Sequence, residues 1–224
     1  MSGHRNPAVA VDVALVTIVD DRLAVVMVRR NQDPHRSQWQ LPGGFVRLDE
    51  SLDDAAGRVL REKAGINDVY IEQLYTFGAV DRDQRERVIS VTYVALVTAD
   101  RVADEFPDVA LAFIEHAEHA ATLALIVEGK SAAVAFDHAD IVGLVVKRLR
   151  GKLAYVPIGY ELLPERFTLL QLQRVHETIL GRTLNKDSFR RTMLASGDLE
   201  PTGERQSDVG HRPAALYRYA TTSL

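Results

Sequence analysis

The sequence contains no cysteine, and this absence excludes disulfide bonds, cysteine-ligated zinc sites and catalysis by a thiol. It also lacks a long apolar run, since the longest, residues 120–127, is far shorter than the ~20 residues of a membrane-spanning helix. The amino-terminal residues show no apolar core of a secretory signal. Together these absences predict a cytoplasmic protein with no membrane partner.

The whole chain has no large excess of charge of one sign, but the net charges of its two parts have opposite signs. The 224 residues carry 27 basic and 31 acidic side chains, for a net charge of −4. Residues 1–149 hold 16 basic and 23 acidic side chains, whereas residues 150–224 hold 11 and 8. This change of sign indicates two domains with different partners, which we place at residues 1–150 and 151–224.

The first domain mixes strand and helix patterns. Runs rich in β-branched residues predict strands at residues 11–18, 23–28, 70–75 and 87–97. Helical composition predicts helices at residues 52–64, ended by Gly65, and 138–149, capped by Asp137 and ended by Gly151. A polar turn also predicts a hairpin between residues 122–127 and 132–136. This mixture predicts an α+β domain.

The second domain has its own order of elements. A helix is predicted over residues 169–180, with Thr168 as its cap and Gly181 as its end. A second short helix, residues 186–195, follows a cap at Asn185, and a hairpin formed by residues 199–203 and 214–219 completes the chain. Two helices, a short turn between them and a hairpin are typical of a winged helix-turn-helix.

The segment 44–66 resembles the Nudix box, a turn and helix that place three glutamates on one helical face. In that family the glutamates hold divalent cations, which neutralise a diphosphate and activate water. The fixed positions that match are Gly44, Glu50, Arg58, Leu60, Glu62, Gly65 and Ile66. This spacing, in a strand, loop and helix context, favours the Nudix interpretation over an ordinary amphipathic helix.

Two of the three helix glutamates of the box are replaced, by Val59 and Lys63. Valine offers no ligand, and lysine places a positive charge where a cation would bind. Since Glu62 alone rarely holds magnesium, we predict no metal site, no catalytic residue and loss of hydrolysis. The spacing of Asp54, Arg58 and Glu62 instead predicts a ladder of ion pairs along the helix.

A box without catalysis leaves a pocket that still binds a ligand. Several arginines lie in predicted loops beside the sheet and suit recognition of a diphosphate, namely Arg29, Arg30, Arg36, Arg82, Arg85 and Arg87. Trp39 and Phe77 are candidates to stack on a base or ribose. The predicted ligand-binding set is Arg30, Trp39, Gly43, Gly44, Arg58, Glu62, Phe77 and Arg82.

The basic side chains of the second domain concentrate on its second helix and its hairpin. The helix would enter a major groove ~12 Å wide, where arginine pairs with guanine, while the hairpin reaches phosphates. The predicted DNA-binding residues are Lys186, Ser188, Arg190, Arg191, Thr202, Arg205, His211 and Arg212. The alternative is a small domain that binds a protein partner through a basic face.

Both domains resemble Nudix-related transcription regulators of the NrtR type. The similar segments are residues 72–78, 81–83, 88–93, 167–173, 179–181, 189–191, 202–204 and 212–218. The resemblance implies a Nudix-like α/β/α sandwich with a mixed sheet, followed by a winged helix-turn-helix. It further implies a homodimeric repressor of genes for NAD biosynthesis or salvage, which ADP-ribose or a related nucleotide releases from operator DNA without a further cofactor.

Two alternatives to this function stay open at the level of the sequence. One is an active Nudix hydrolase of ADP-ribose-like nucleoside diphosphates, and the other is a sugar-responsive regulator of the same architecture. The Ala-rich region 101–131 departs from the family pattern, and the composition of its segment 109–121 predicts a solvated helical face. Its less favoured interpretation is a metal clasp formed by Glu115, His116, Glu118 and His119.

Overall fold

The computed structural model describes residues 6–102, 108–116, 123–153, 158–207 and 213–220. The chain forms two compact units, Met1–Arg148 and Leu149–Leu224. Within the described ranges, no helix is both long and apolar enough to cross a membrane.

The described residues of the first unit form a nine-stranded sheet. Its strands are β1 (Ala8–Val19), β2 (Arg22–Arg29), β3 (Trp39–Gln40), β4 (Gly43–Phe45), β5 (Ile71–Phe77), β6 (Val88–Leu96), β7 (Val109–His116), β8 (Leu123–Val127) and β9 (Lys130–Ser131). The order is β5-β6-β1-β2-β7-β8-β9, with β3 paired to β2 and β4 paired to β1. Because β1 runs parallel to β6 but antiparallel to β2, the sheet is mixed, as predicted.

Helix α1 (Leu52–Ala64) has the predicted bounds. The Ser51 hydroxyl accepts a hydrogen bond from the amide of Asp54 at 3.1 Å, and the Asp54 carboxylate accepts one from the amide of Ser51 at 3.4 Å. This reciprocal cap satisfies amides that the first helical turn leaves free. Gly65 ends the helix at a φ of 67°, a left-handed conformation that glycine adopts without strain.

The core of the first unit joins β1 to α1. Val11, Val13 and Leu15 of β1 pack with Val59 and Leu60 of α1 in one apolar cluster. The residues that alternate with them along β1 are also buried, so both faces of this strand are covered. The predicted mixed sheet with helices is therefore confirmed.

The prediction of a helical face in the Ala-rich segment is wrong for residues 109–116, which form strand β7. This segment pairs with β2 on one side and with β8 on the other, and tertiary pairing outweighs the helix propensity of alanine. Glu115 forms an ion pair with Arg22 at 3.0 Å. The side chain of His116 is outside the described part of the structure. Glu118 and His119 lie outside the described residues.

The predicted hairpin after residue 122 is correct in its first strand and turn, and wrong in its second strand. Hydrogen bonding to β8 ends at Ala132, whose amide donates to the carbonyl of Leu125 at 2.8 Å. Residues 133–135 instead bridge to β3, where the amide of Trp39 donates to the carbonyl of Ala133 at 2.9 Å and its carbonyl accepts from the amide of Ala135 at 2.8 Å. This second pairing brings Phe136 and the residues after it to the end of β3 and β4.

Helix α2 (His138–Lys152) extends three residues beyond its predicted end. Gly151 is helical and does not end it, so a glycine in the last turn is not by itself a stop. The guanidinium of Arg150 donates to the carbonyl of Ile179 at 2.9 Å, within the second unit. This long-range contact engages the last turn of α2, which the local sequence does not reveal.

The second unit contains the predicted winged helix-turn-helix elements. They are α3 (Leu169–Leu180), α4 (Lys186–Ala195), β10 (Leu199–Arg205) and β11 (Ala215–Tyr219). Thr168 and Gln171 form a reciprocal cap at the start of α3, and Asn185 caps α4 by accepting from the amide of Ser188 at 3.0 Å. Gly181 ends α3 in the left-handed conformation. Both helices therefore begin and end at the predicted residues.

Because His176 is buried, we expect the free energy of unfolding to fall in acid. Its ring lies 5.1 Å from that of Phe189, between α3 and α4, and burial lowers its pKa from 6.5 to about 4. The unfolded chain therefore binds the proton first, so stability is present above pH 6.5 and is lost as pH falls from there to 4. The loss from this one group reaches at most ~3 kcal/mol.

The measurement is the urea midpoint at pH 7 and pH 4.5 for the wild type and for His176→Phe, which keeps an aromatic ring and removes the titration. We expect a smaller drop between the two pH values for the variant. An equal drop in both proteins would contradict the role of His176.

Candidate functional site

A cavity of about 210 Å³ opens in the first unit where β1, β4 and the start of α2 meet. Its charged wall residues are Arg30, Lys63, Arg82, Arg85, Asp12 and Asp83. Its rings come from Phe45, Phe136 and His138, and its backbone edge from Gly43 and Gly44. Four cationic side chains against two carboxylates favour an anionic ligand over a neutral or cationic one.

The structure brings four of the eight predicted ligand-binding residues to the cavity and leaves the other four outside it. Arg30, Gly43, Gly44 and Arg82 line the cavity, and Trp39, Arg58, Glu62 and Phe77 do not. The ring of Trp39 packs against the Arg29 guanidinium at 5.9 Å, and Phe77 packs edge-on against Tyr75 at 5.3 Å.

Arg82 is the most buried cation of the wall. Its guanidinium donates twice to Asp137, at 2.9 and 2.7 Å, and once to Asp12 at 3.5 Å, with 5% of the side chain exposed. Burial acts to lower its pKa, but the hydrogen bonds and charges of Asp137 and Asp12 outweigh burial and raise it. Arg82 therefore holds one fixed positive charge at the base of the cavity.

His138 completes this buried group. Its Nδ1 accepts a hydrogen bond from the amide of Leu41 at 2.9 Å, and its Nε2 lies 3.6 Å from Asp12. Burial lowers the pKa of His138, although Asp12 opposes the shift, so the ring is neutral near pH 7 with its proton on Nε2. The Ser90 hydroxyl donates to the other oxygen of Asp12 at 2.5 Å. Each polar group at the base thus has a partner.

Position 43 accepts only glycine, because there is no room for a Cβ atom. A Cβ atom there would overlap Oδ1 of Asp12 and lie 3.0 Å from the carbonyl oxygen of Val11. Since β4 pairs directly with β1 at this point, the close approach is fixed by the sheet. Glycine therefore allows the backbone of β4 to form the edge of the cavity.

The upper wall combines arginines with aromatic rings. Arg30 lies over the ring of Phe136 at 4.7 Å, and Arg85 lies 5.7 Å from Phe136 and 5.9 Å from Phe45. Burial, together with the charge of Arg85, lowers the pKa of Arg30. Asp83 accepts two hydrogen bonds from the Arg85 guanidinium, at 3.0 and 2.7 Å, and these raise the pKa of Arg85. Such a wall offers flat surfaces and positive charge together.

The matched residues of the box form ion pairs beside this cavity. Arg58 donates to both oxygens of Glu50, at 2.8 and 2.6 Å, and to Glu62 at 3.2 Å. These hydrogen bonds, and one from the amide of Arg47, lower the pKa of Glu50 to about 2. The predicted ladder is correct for Arg58 and Glu62 and wrong for Asp54, whose carboxylate caps the helix instead.

The predicted DNA-binding residues of α4 lie on the exposed part of that helix. Lys186, Ser188, Arg190 and Arg191 are all exposed, whereas Phe189 between them is buried. A cleft of about 790 Å³ lies between α3, α4 and the hairpin, and its basic wall residues are Arg174, Lys186, Arg190 and Arg205. Thr202 donates to the carbonyl of Leu216 at 3.0 Å. His211 and Arg212 lie outside the described residues.

Sequence reasoning missed several wall residues of the cavity. Asp12 lies in an apolar strand, and a single charged residue in such a run is a sequence signal that indicates a site residue. Phe136 comes from the segment that follows β9, which the pattern assigns to a simple hairpin. His138 is the first residue of the predicted helix, where its type alone does not indicate a binding role. Phe45 and Asp83 carry no local signal that separates them from ordinary loop residues.

The fold and the two sites define a two-domain protein, a Nudix domain followed by a winged helix-turn-helix domain. Residues 8–132 match the NUDIX domain, and residues 159–219 match the NrtR DNA-binding winged helix domain. Over 221 residues the chain is 36% identical to the ADPR responsive transcriptional repressor NtrR of Acinetobacter baylyi, which spans 98% of this chain and 84% of that protein. The chain therefore belongs to the NrtR family.

Two solved structures are similar to this chain. The crystal structure of Shewanella oneidensis NrtR complexed with a 27mer DNA has a TM-score of 0.79 and 32% identity, over 95% of this chain and 93% of that one. The cocrystal structure of the NUDIX domain of Shewanella oneidensis NrtR complexed with ADP ribose has a TM-score of 0.52 and 29% identity. It covers 65% of this chain and 90% of that one.

Proposed function

We propose that this protein is a transcriptional repressor that binds operator DNA through its winged helix and responds to ADP-ribose through its Nudix domain. The observation that carries the proposal is the presence, in one chain, of a cationic cavity and of a helix-turn-helix with an exposed basic helix. The relatives named for ADP-ribose and for DNA support the same pair of ligands.

The cavity chemistry fits a nucleoside diphosphate. Arg30, Arg82 and Arg85 offer planar groups that hydrogen-bond phosphate oxygens, and the rings of Phe45 and Phe136 offer faces for a base or ribose. The cavity of about 210 Å³ is smaller than the ~300 Å³ at which ligand pockets ordinarily start. A ligand the size of ADP-ribose would place its diphosphate inside and extend its ends over the exposed rim.

The box chemistry supports binding without hydrolysis. Glu50 and Glu62 are both engaged by Arg58, Val59 is buried in the apolar cluster, and Lys63 carries a positive charge. A hydrolase needs carboxylates free to hold a cation that activates water. The chain therefore acts as a sensor of its ligand and not as an enzyme.

We further propose that the regulated genes serve NAD biosynthesis or salvage and that the repressor is a homodimer in the cytoplasm. A twofold dimer would bind half-sites whose centres are separated by a multiple of ~10.5 base pairs. Footprinting of the bound operator would measure this spacing directly.

The test of the function is a gel shift at 50 mM salt, with DNA from the promoter of the chain's own gene neighbourhood. We expect a shift by the full chain, and release of the DNA when ADP-ribose is added. AMP, which has one phosphate and no second ribose, is the control and should release little DNA. Absence of a shift, or equal release by AMP, would overturn the proposal.

A further inference from the structure

The residues of the box do not fit the divalent cation that this motif holds in the hydrolases of the family. Oxygen ligands for magnesium must be free to turn toward the ion. Here both oxygens of Glu50 accept from Arg58, and Glu62 accepts from Arg58 at 3.2 Å and from Arg47 at 3.4 Å. Two arginines thus neutralise the two carboxylates. The described part of the chain contains no group of three acidic or histidine side chains that could hold a metal.

Lys63 differs from the other cations of the cavity wall. Arg82 is bound to Asp137 and Asp12, and Arg85 is bound to Asp83. Lys63 is exposed, lines the cavity, and has no hydrogen bond or ion pair with any residue that the structure describes. Its ammonium is therefore free to bind a ligand without first losing a protein partner.

The position of Lys63 in the box indicates what its free ammonium binds. It occupies the last of the three glutamate positions, on the helix that follows the Gly43–Phe45 edge of the cavity. A carboxylate at this position repels a diphosphate, so it could bind one only through a bridging cation. An ammonium joins the diphosphate directly, with hydrogen bonds that the charge strengthens.

We propose that Lys63 takes the place of the divalent cation and binds the diphosphate of the effector, so that the repressor senses its ligand without metal. This inference rests on the proposed function, since it assigns a contact within the same cavity. It makes the response independent of magnesium and makes Lys63 a determinant of ligand binding.

The test is calorimetric titration of the full chain with ADP-ribose, in EDTA and in magnesium. We expect the wild-type dissociation constant to be the same in both buffers within about twofold. Lys63→Gln should weaken binding by roughly 10- to 100-fold in both, the effect of losing one charge-assisted hydrogen bond. Lys63→Glu should bind more weakly still in EDTA and should recover part of its affinity in magnesium.

Arg61→Gln is the matched control. Arg61 is an exposed cation of the same helix, two positions away and on another face, and it does not line the cavity. We expect its affinity to stay within about threefold of the wild type. An equal loss in both variants would show a general effect of charge and would overturn the assignment of a contact to Lys63.

The outcomes separate this inference from the function on which it rests. Wild-type binding that requires magnesium, or wild-type affinity in Lys63→Gln, would overturn the inference and leave the ADP-ribose sensor intact. A wild type that binds ADP-ribose in neither buffer would overturn both. Melting temperatures of all variants should match the wild type, because Lys63 and Arg61 are exposed.

Discussion

Replacement of both Arg190 and Arg191 with alanine is expected to weaken operator binding about 30-fold or more. Each guanidinium that pairs bidentately with a guanine contributes ~1–3 kcal/mol to discrimination. Both side chains are exposed on α4, which Phe189 anchors in the core of the second unit. The helix should therefore stay folded while its contacts with bases are lost, and a gel shift or fluorescence anisotropy titration would measure the loss.

The control for this variant removes the same charge elsewhere. Arg36 and Arg61 are exposed arginines of the Nudix domain, and their double replacement with alanine should change operator affinity less than threefold. The Arg190 and Arg191 variant should also lose its preference for the operator over random DNA. If it kept that preference, bases would be read by residues other than these two.

Arg82→Met is expected to lower the free energy of unfolding by ~3–5 kcal/mol, the range for removal of one partner of a buried ion pair. The substitution keeps the length of the side chain but leaves Asp12 and Asp137 without their shared cation. The side chains of Asp12 and Asp137 are only 9% and 18% exposed, so water screens their charges poorly. Urea unfolding at pH 7 would measure the change, and binding of ADP-ribose should be lost as well.

Arg87→Met provides the comparison. The Arg87 guanidinium donates to the carbonyls of Gly78 and Ala79 at the surface, so its loss should cost no more than ~1 kcal/mol. The double variant Arg82→Met with Asp137→Asn should recover part of the loss, because one unpaired charge is removed. Equal destabilisation by Arg82→Met and Arg87→Met would contradict a special role of the buried network.

Helices with strong local signals could be predicted from the sequence almost to the residue. Ser51, Thr168 and Asn185 cap the three helices α1, α3 and α4 through contacts within one turn, and Gly65 and Gly181 end two of them. These interactions lie within four residues along the chain. A pattern of neighbours in the sequence is therefore enough to reveal them.

Elements fixed by distant contacts could not be predicted in this way. Strand β7 resembles a helix in composition and becomes a strand because two partners pair with it. The cavity is harder still, since Asp12, Arg82 and Asp137 are brought together across 125 residues of sequence. Arginines in loops predicted the kind of ligand, but only the folded sheet selects which arginines meet.

The two replacements in the box also limit which single substitutions could restore its three glutamates. Val59 packs in the apolar cluster, where its Cγ2 lies 3.4 Å from the position of a Cβ on Gly44. Val59→Glu would bury an unpaired charge there and lower the free energy of unfolding, with no bound metal to offset the loss. With the role proposed for Lys63, Lys63→Glu would weaken binding of the diphosphate. Neither single substitution is favourable alone, so the three-glutamate pattern of the box is not reached from this sequence one step at a time.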